Sequence, residues 1–429
     1  MRPRALSPSS PVLAFLGCLG AALAGVAAAG QDGQAPAEGQ EAAPRVLLET
    51  LAGEVSVLPA ERLPLESLAA AGAAFLRFDG LPPLDGGARP QGATLAALEL
   101  AGGDRLKGRV RGGEGDVLTL ELRPGVELDL SIDGIRSIVH PTRIPDSVTE
   151  SPTAGPPDEG DRLYLVAANG LDRAQGFVES FSAEGVAFHD DRLGQRTYPW
   201  SRVAALFVAP LEDSGGEGDD PATEDLGERV AVTLAGGGRI SGALVRVGAP
   251  EQGVELLIGG GAAVQLPGSI VDEVSLDDGS FRFLSDVTPD DRGQSSPFGD
   301  ELGFVWPLRV DRNCRGGLLS VGGEVFDRGL GVHAPSRLTW EVGGQWSSLR
   351  LMCGVDDSGQ SGTRSGAVRF RVVGDGELLW ESEVLRGGLP AARPAPISLR
   401  GVRSLVLEVD PAGDFVLDRA DWVRPVLVR

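Results

Sequence analysis

The 429-residue sequence is poor in several residue types on which enzymes commonly depend. It has three cysteines, three histidines and a single lysine, and aromatic residues make up 5% of it. None of the histidines (His140, His189 and His333) has a second histidine or a cysteine at zinc-ligand spacing, which argues against a metal hydrolase. A G-x-S-x-G elbow and a P-loop are both missing, and no segment after the N-terminal region approaches membrane-spanning length.

Positive charge is also scarce relative to negative charge. Acidic residues outnumber basic ones by 61 to 39, which gives a formal net charge of −22. Such a chain repels phosphate backbones, so we expect no nucleic-acid partner. With so many carboxylates, a pair at glycosidase spacing arises easily by chance, and no catalytic residue is predicted.

The N-terminal region has the pattern of a secretory signal peptide, predicted over residues 1–29. Arg2 and Arg4 precede an apolar run from Val12 to Val26, and Ala27-Ala-Ala29 fits a cleavage site. The run is too short and too rich in small residues to span a membrane comfortably. We therefore expect export to the periplasm or the extracellular space, without a transmembrane segment in the mature chain. Residues 30–44 are predicted to form a flexible tether.

A repeat emerges after this tether. The run LAGGDRLKG from Leu100 to Gly108 matches LAGGGRISG from Leu234 to Gly242 position by position, and residues 169–176 form a more divergent copy. Each copy ends in a hydrophobic closing strand. The copies that come first and second along the chain are offset by a constant 68 residues. Asp104 corresponds to Asp172 (172 − 104 = 68), and the closing strand at Ile135 corresponds to the one at Val203 (203 − 135 = 68).

Linkers rich in proline, glycine, serine and acidic residues separate these units. The predicted order is one or more first β units (45–140), a linker (141–160), a second small β unit (161–210), an acidic linker (211–227), a third small β unit (228–284), a linker (285–302) and a C-terminal domain (303–429). Residues 45–84 are interpreted as a reduced further unit that ends in a short helix near residues 69–76.

The small units resemble Sm-like and SH3-like barrels. A strand, a glycine-rich hairpin and a closing strand within about fifty residues are typical of a small, strongly bent barrel. The resemblance implies nucleic-acid binding in the Sm-like family, which conflicts with the acidity and the predicted export. We therefore interpret the units as spacers or scaffolds.

The C-terminal domain alternates apolar and polar residues with a period of two. Leu338, Trp340 and Val342 share one face of a predicted strand, as do Leu405 and Leu407 of another, which indicates antiparallel strands in a sandwich. Its motifs, in order, are DRGLGVHAPS (327–336), LTWEV (338–342), GVDD (354–357), RFRVVGDG (369–376), WES (380–382), VLRGG (384–388) and DRADW (418–422).

These motifs resemble the NPCBM domain, a carbohydrate-binding module known from family 98 glycoside hydrolases. The resemblance implies a jelly-roll β-sandwich similar to galactose-binding domains. The fold class is therefore all-β, with that sandwich preceded by repeated small β-barrel-like units.

Five residues are candidates for carbohydrate binding: His333, Asp356, Asp357, Trp346 and Trp380. Indole rings can stack on the C–H face of a sugar, and polar side chains can bind its hydroxyls. The alternatives are a buried histidine bonded to a loop backbone, aspartates that cap a turn and tryptophans that pack in the core. Trp422 is predicted to pack between the sheets.

The resemblance also implies a possible structural calcium ion held by Asp356 and Asp357, because carboxylates in loops suit that ion. No other cofactor is expected. Cys314 and Cys353 would both remain after export to an oxidising compartment, and we expect a disulfide between them over two separately buried thiols.

The sequence thus predicts an exported protein that is not an enzyme and that recognises a glycan through its C-terminal domain. The alternative is a structural or protein-interaction scaffold of the cell envelope that binds no sugar. A hydrolase is disfavoured because the preceding region contains only short repeats and linkers, with no domain large enough for a barrel hydrolase.

Overall fold

A computed structural model describes residues 43–81, 95–144, 160–168, 170–209, 227–235, 238–258, 262–294, 306–413 and 416–429. Within them every regular element is a strand or a single 3₁₀ turn, so the predicted all-β class is confirmed. The strands are β1 (Arg45–Glu49), β2 (Val55–Leu58), β3 (Phe75–Asp79), β4 (Ala96–Leu100), β5 (Arg105–Glu114), β6 (Val117–Arg123), β7 (Val126–Ser131), β8 (Ile135–Val139), β9 (Asp161–Ala167), β10 (Gly170–Phe181), β11 (Gly185–Asp190), β12 (Gly194–Pro199), β13 (Val203–Phe207), β14 (Arg229–Leu234), β15 (Arg239–Val247), β16 (Val254–Ile258), β17 (Ala262–Leu266), β18 (Val271–Leu276), β19 (Phe281–Phe283), β20 (Asp291–Gln294), β21 (Arg309–Val310), β22 (Leu319–Val321), β23 (Glu324–Phe326), β24 (Gly329–His333), β25 (Ser336–Glu341), β26 (Ser348–Val355), β27 (Gln360–Ser361), β28 (Arg364–Ser365), β29 (Ala367–Gly374), β30 (Glu377–Glu381), β31 (Leu385–Arg386), β32 (Ile397–Ser398), β33 (Ser404–Pro411) and β34 (Arg419–Val428).

The 3₁₀ turns lie at Ala60–Arg62, Ile132–Gly134, Pro141–Arg143, Gly268–Ile270, Leu284–Asp286 and Asp357–Gly359.

The three predicted small units have one topology. In each, the first strand lies between the closing strand and a meander of three more strands, in the orders β8-β4-β5-β6-β7, β13-β9-β10-β11-β12 and β18-β14-β15-β16-β17. The offset of 68 residues maps the starts of β6, β7 and β8 onto those of β11, β12 and β13 (117 + 68 = 185, 126 + 68 = 194, 135 + 68 = 203).

The second strand of each unit bends sharply around its neighbours. β5, β10 and β15 each carry a register shift against the next strand, which is the signature of a β-bulge. The repeat glycines Gly108, Gly176 and Gly242 lie just before it. An added Cβ would lie 2.7 Å from the carbonyl oxygen of Glu121 at Gly108 and 2.5 Å from that of Leu257 at Gly242. The glycine is therefore required because the neighbouring backbone comes so close.

The closing strands join the units edge to edge. β8 pairs antiparallel with β13, and β18 pairs antiparallel with β3. The side chains of β13, from Val203 to Phe207, are buried throughout, as expected for a strand covered on both faces. The paired units share one continuous hydrophobic core.

The region around residues 45–84 is a reduced unit. Its first strand β1 pairs with β2 on one side and with the closing strand β3 on the other, while the two remaining strands of the meander have no counterpart among the described residues. The short helix predicted near residues 69–76 is wrong. Turns occupy Ala69–Gly72 and β3 begins at Phe75, because Phe75 and Leu76 are needed in the core as a closing strand.

The C-terminal domain is a two-sheet sandwich. One sheet has the order β21-β24-β34-β26-β32 with β19 also on β34, and the other has the order β20-β25-β33-β29-β30 with β31 also on β29. Its core lies between the sheets and contains Trp340, Phe370 and Trp422, each at most 1% exposed. The rings of Phe370 and Trp422 meet edge to face, with centroids 4.8 Å apart. Trp422 therefore packs between the sheets, as predicted.

The sandwich begins earlier than the predicted boundary at 303. β19 lies within the predicted third unit but pairs with β34, and β20 lies within the predicted linker 285–302 but pairs with β25. Strands of three and four residues are too short to display a period in the sequence. β20 is the edge strand of its sheet, and β19 pairs with one end of the central strand β34.

Charged residues join the reduced and third units to the sandwich. Arg424 on β34 donates a 2.6 Å hydrogen bond to Glu273 on β18 and lies 3.7 Å from Glu49 on β1. Arg350 on β26 also pairs with Glu49 and donates to the carbonyl oxygens of Thr50 and Leu51 at 3.0 and 2.8 Å. These side chains are at most 14% exposed, so the joint is a buried ion network.

The predicted signal peptide and most of the predicted tether lie outside the described residues. Most residues of the predicted linkers 141–160 and 211–227 also lie outside them. Among the described residues, no helix is long and apolar enough to cross a membrane.

Candidate functional site

The candidate site is at the end of the sandwich where β24 and β26 finish and β34 begins. His333, the last residue of β24, pairs in register with Arg419, the first residue of β34. The indole of Trp306 stacks on the His333 imidazole, with ring centroids 5.4 Å apart and planes within 8° of parallel. The Arg419 guanidinium carbon lies 5.9 Å from the centroid of the indole. We call Trp306, His333 and Arg419 the His333 platform.

The protonation state of His333 follows from its surroundings. Burial lowers the pKa of the ring, the bond to the Ala334 carbonyl raises it, and Arg419 lowers it further, with a net lowering. Nδ1 lies 2.8 Å from that carbonyl oxygen, which can only accept, so Nδ1 carries the proton of the neutral ring. Nε2 is then an acceptor suited to a hydroxyl donor.

Asp356, at the end of β26, is fully buried and holds loops together. Its carboxylate accepts hydrogen bonds from the Asn313 amide at 3.2 and 3.3 Å, from the Ser320 backbone N–H at 3.1 Å and from the Ser358 N–H at 2.9 Å. Its own backbone N–H donates to the Arg419 carbonyl at 2.9 Å. Asp356 therefore supports the His333 platform from beneath rather than facing a ligand.

Asp357 anchors the hairpin formed by β22 and β23. Its two oxygens accept from the Ser320 hydroxyl at 2.5 Å and from the N–H groups of Gly322 and Gly323, both at 2.9 Å. This arrangement matches the turn-capping alternative.

The surroundings of Asp356 and Asp357 fit a calcium ion poorly. Donor N–H and O–H groups point at their oxygens, where a cation would need further oxygen ligands. No group of three or more His, Cys, Asp or Glu side chains among the described residues could hold a metal ion. The calcium ion stays a prediction from the resemblance.

A second buried carboxyl group lies beside Asp356. Asp421 on β34 is 0% exposed, and its carboxyl group lies against the Asp356 side chain and the Ser320 backbone N–H. Burial and the nearby charge of Asp356 raise the pKa of Asp421 well above its ordinary value. We conclude that Asp421 keeps its proton where an exposed aspartate would have lost it.

The two remaining candidates lie elsewhere. Trp346 is 6% exposed and stacks under Arg429 at 5.3 Å, next to Ser347 and Val428. That is the opposite end of β26 from Asp356, so the eight residues of the strand, about 25 Å, lie between them. Trp380 is half-buried on β30, at the edge of the other sheet. The structure therefore brings together His333, Asp356 and Asp357 but neither tryptophan.

The predicted disulfide between Cys314 and Cys353 is wrong, since both thiols are free and buried. Cys353 points into the core between the sheets, together with Trp422. Cys314 lies near Asp421, whose neighbour in sequence, Trp422, points the opposite way. Because successive side chains of a strand alternate between its faces, the two thiols lie on opposite faces of one sheet. Burial raises the pKa of Cys314 to about 12, so it stays a thiol.

Trp306 and Arg419 were missed as site residues. Arg419 is part of the DRADW motif, and its place beside His333 depends on strand pairing across 86 residues (419 − 333 = 86). Trp306 follows residues that lie outside the described ranges and has no repeating pattern around it. The available signal was that Trp306 is one of only six tryptophans in the chain.

Comparison with known proteins agrees with the motifs. The family model of the NPCBM/NEW2 domain matches residues 282–428, so the predicted NPCBM domain is confirmed, and the match includes β20 and two of the three residues of β19. Alpha-1,3-galactosidase B of Akkermansia muciniphila is 39% identical over 118 residues, which are 27% of this chain and 14% of that protein. The chain therefore matches only a small part of that relative's length.

Two similar solved structures are CBM51 modules. The CBM51 of Clostridium perfringens GH95, in complex with methyl-galactose, is 20% identical and covers 34% of this chain and 99% of its own, with a TM-score of 0.30. The tandem CBM51 modules of the family 98 glycoside hydrolase Sp3GH98 from Streptococcus pneumoniae SP3-BS71 are 13% identical and cover 48% and 72%, with a TM-score of 0.30.

Proposed function

We propose that this chain is an exported, non-catalytic glycan-binding protein whose C-terminal domain binds a sugar at the His333 platform. The observation that carries the proposal is the stack of a half-buried indole on a neutral imidazole, with a guanidinium alongside. A flat aromatic face suits the C–H surface of a pyranose, and Nε2 and the guanidinium suit its hydroxyls.

The absence of a catalytic role rests on the surroundings of the candidate carboxyl groups. The carboxylates nearest the platform are occupied by structural hydrogen bonds or fully buried, as Asp356 and Asp421 are. A general acid and base must reach the proton that they transfer, and buried groups held in this way do not. Binding without turnover is the activity that these residues support.

A galactoside is the first ligand to test. The chain shares 39% identity over 118 residues with a protein named as an α-1,3-galactosidase, and that stretch is a small part of the relative. A module of this kind would direct the protein to terminal galactose on a glycan. Titration calorimetry of the chain with galactose, α-1,3-linked galactobiose and N-acetylglucosamine tests both binding and preference.

Two variants test the location. Trp306→Ala should weaken the affinity for the bound sugar by about ten-fold, since an aromatic contact contributes roughly 0.5–1.5 kcal/mol beyond its buried area. Trp380→Ala removes the same side chain from the other sheet and should leave affinity within about two-fold.

If no mono- or disaccharide and no polysaccharide is retained by the folded chain, the glycan function is refuted. The envelope scaffold is then the better explanation, and a stable protein partner on co-purification would support it. If binding is lost in Trp380→Ala and kept in Trp306→Ala, the glycan function stands and the platform is the wrong site.

A further inference from the structure

A row of basic side chains lies on the exposed face of β5 in the first small unit. Arg105, Lys107, Arg109 and Arg111 alternate along the strand with residues that face the core or are glycine, and all four are exposed. Alternate residues of a strand are about 7 Å apart, so the four charges cover roughly 20 Å when measured along the bent strand. We call this set the cationic row.

The fold does not require the cationic row. With the offset of 68 residues, Lys107, Arg109 and Arg111 correspond to Gln175, Phe177 and Glu179 of the second unit (107 + 68 = 175). Alignment of the repeat glycines places Ser241, Ala243 and Val245 there in the third unit. Only the arginine at the first position recurs in all three copies. Three cations at positions where the other copies carry none indicate a property of the first unit.

The row is only loosely paired with its neighbours. Arg105 lies 3.9 Å from Glu99, Arg109 lies 3.9 Å from Glu121, and Arg111 lies 3.7 Å from both Glu121 and Glu127. Charge-assisted hydrogen bonds are about 2.7–2.9 Å long, so these contacts leave the guanidinium N–H groups available. Lys107 has no ion pair with any described residue.

A cleft continues the row between the first and third units. Lys107 and Arg123 line it together with the apolar side chains of Leu122, Leu234 and Ile270. It is shallow and opens to solvent. Cations beside apolar side chains suit a ligand that carries both an anionic group and a hydrocarbon face.

The alternation of cations with carboxylates decides between two kinds of polyanion. Guanidinium groups bind carboxylates or sulfates, whereas Glu99, Glu121 and Glu127 accept hydrogen bonds only from donors such as hydroxyl groups. A uronate or sulfated polysaccharide carries both anionic groups and hydroxyl donors along its length. A DNA backbone offers closely spaced phosphates without hydroxyl groups between them, so it would leave Glu99, Glu121 and Glu127 without donors.

We propose that the cationic row and the adjoining cleft form a second binding surface, for an acidic polysaccharide. This surface is on a different unit from the His333 platform and does not depend on that site. It would give the chain two carbohydrate contacts of opposite character, one for a neutral sugar and one for a charged polymer.

The test is affinity electrophoresis of the whole chain in gels that contain polygalacturonate, dextran sulfate or neutral dextran. We expect retardation by one or both anionic polymers, no retardation by dextran and weaker retardation as salt increases. The variant Lys107→Gln/Arg109→Gln/Arg111→Gln should bind at least about ten-fold more weakly, because each neutralised cation removes one released counterion. Arg173→Gln/Arg192→Gln/Arg196→Gln makes the same change of charge on exposed arginines of the second unit and should bind normally.

Thermal unfolding of both variants checks that they are folded. The proposal is overturned if neither anionic polymer retards the chain at low ionic strength, or if the two triple variants lose binding equally. It is also overturned if duplex DNA binds as tightly through the same three residues, which would make the row a nucleic-acid surface.

Discussion

At the scale of single residues, the repeat glycine has the most direct structural requirement. Gly242 faces the Leu257 carbonyl so closely that a methyl group would lie 2.5 Å from it. We predict that Gly242→Ala lowers the free energy of unfolding by roughly 1–3 kcal/mol through overpacking. Gly102→Ala, where no atom lies within 4 Å, should change it little. Urea unfolding of both variants measures the difference, and equal stability would contradict the close approach.

Asp272 gives stability a dependence on pH. Burial and the like charge of Asp327 raise its pKa to about 7 from an ordinary value of 3.8. The folded chain therefore holds a proton that the unfolded chain releases, so this contribution to stability is present below about pH 4 and is lost as the pH rises through 7.

We predict that Asp272→Asn removes part of the loss of stability between pH 4 and pH 7, an effect on the order of 1–3 kcal/mol. Chemical unfolding at a series of pH values measures it. Asp172→Asn, which changes an exposed aspartate of β10, is the matched control and should follow the wild-type profile. A parallel profile for Asp272→Asn would refute the assignment.

Residue patterns predicted some site residues and not others, for a physical reason. His333, Asp356 and Asp357 lie at strand ends within recognisable motifs, and they do meet at one end of the sandwich. Trp306 meets His333 only through the packing of a loop, and the pairing of Arg419 with His333 is long-range. The disulfide was predicted wrongly because spacing along the chain does not tell which face of a sheet a thiol occupies.

At the scale of elements, the hairpin of β22 and β23 depends on one side chain. Three donors of the hairpin bind Asp357, and the hairpin covers a small apolar cluster that includes Leu319 and Phe326. We predict that Asp357→Ala raises amide hydrogen exchange across residues 319–326 by about ten- to a hundred-fold, since hydrogen bonds to a charged group contribute roughly 1.5–3 kcal/mol.

Glu324→Ala is the control for this hairpin. It removes an exposed ion pair with Arg393 from the same element, which contributes little. Exchange should therefore stay near the wild-type rate. Unchanged exchange in Asp357→Ala as well would show that packing alone holds the hairpin.

The closing strands could be recognised from sequence, but their partners could not. An uninterrupted apolar run such as Val203–Phe207 indicates a strand covered on both faces. Nothing in that run specifies that its second edge pairs with β8 of the preceding unit. The boundary of the sandwich was misplaced for a similar reason, since β19 and β20 acquire their identity from β34 and β25.

At the scale of the whole molecule, Arg424 links the sandwich to the units before it. Replacement by methionine leaves Glu273 and Glu49 buried without this partner, and breaking a buried pair costs about 3–5 kcal/mol. We predict that Arg424→Met lowers the melting temperature and separates the unfolding of the sandwich from that of the small units. Differential scanning calorimetry would detect the second transition.

Arg337→Met serves as the comparison, because its pair with Glu408 lies on the outer face of the sandwich and is half exposed. It should melt like the wild type. If Arg424→Met unfolds in one transition at the wild-type temperature, the ion network does not couple the two parts.

The edge-to-edge pairing of closing strands has a consequence for the origin of the chain. β8 and β13 are equivalent strands of two copies, and they meet antiparallel, as two subunits do across a two-fold axis. Gene fusion of an ancestral homodimer would leave this arrangement within one polypeptide. A single small unit produced alone would expose the unpaired edge of its closing strand, and we expect it to self-associate through that edge.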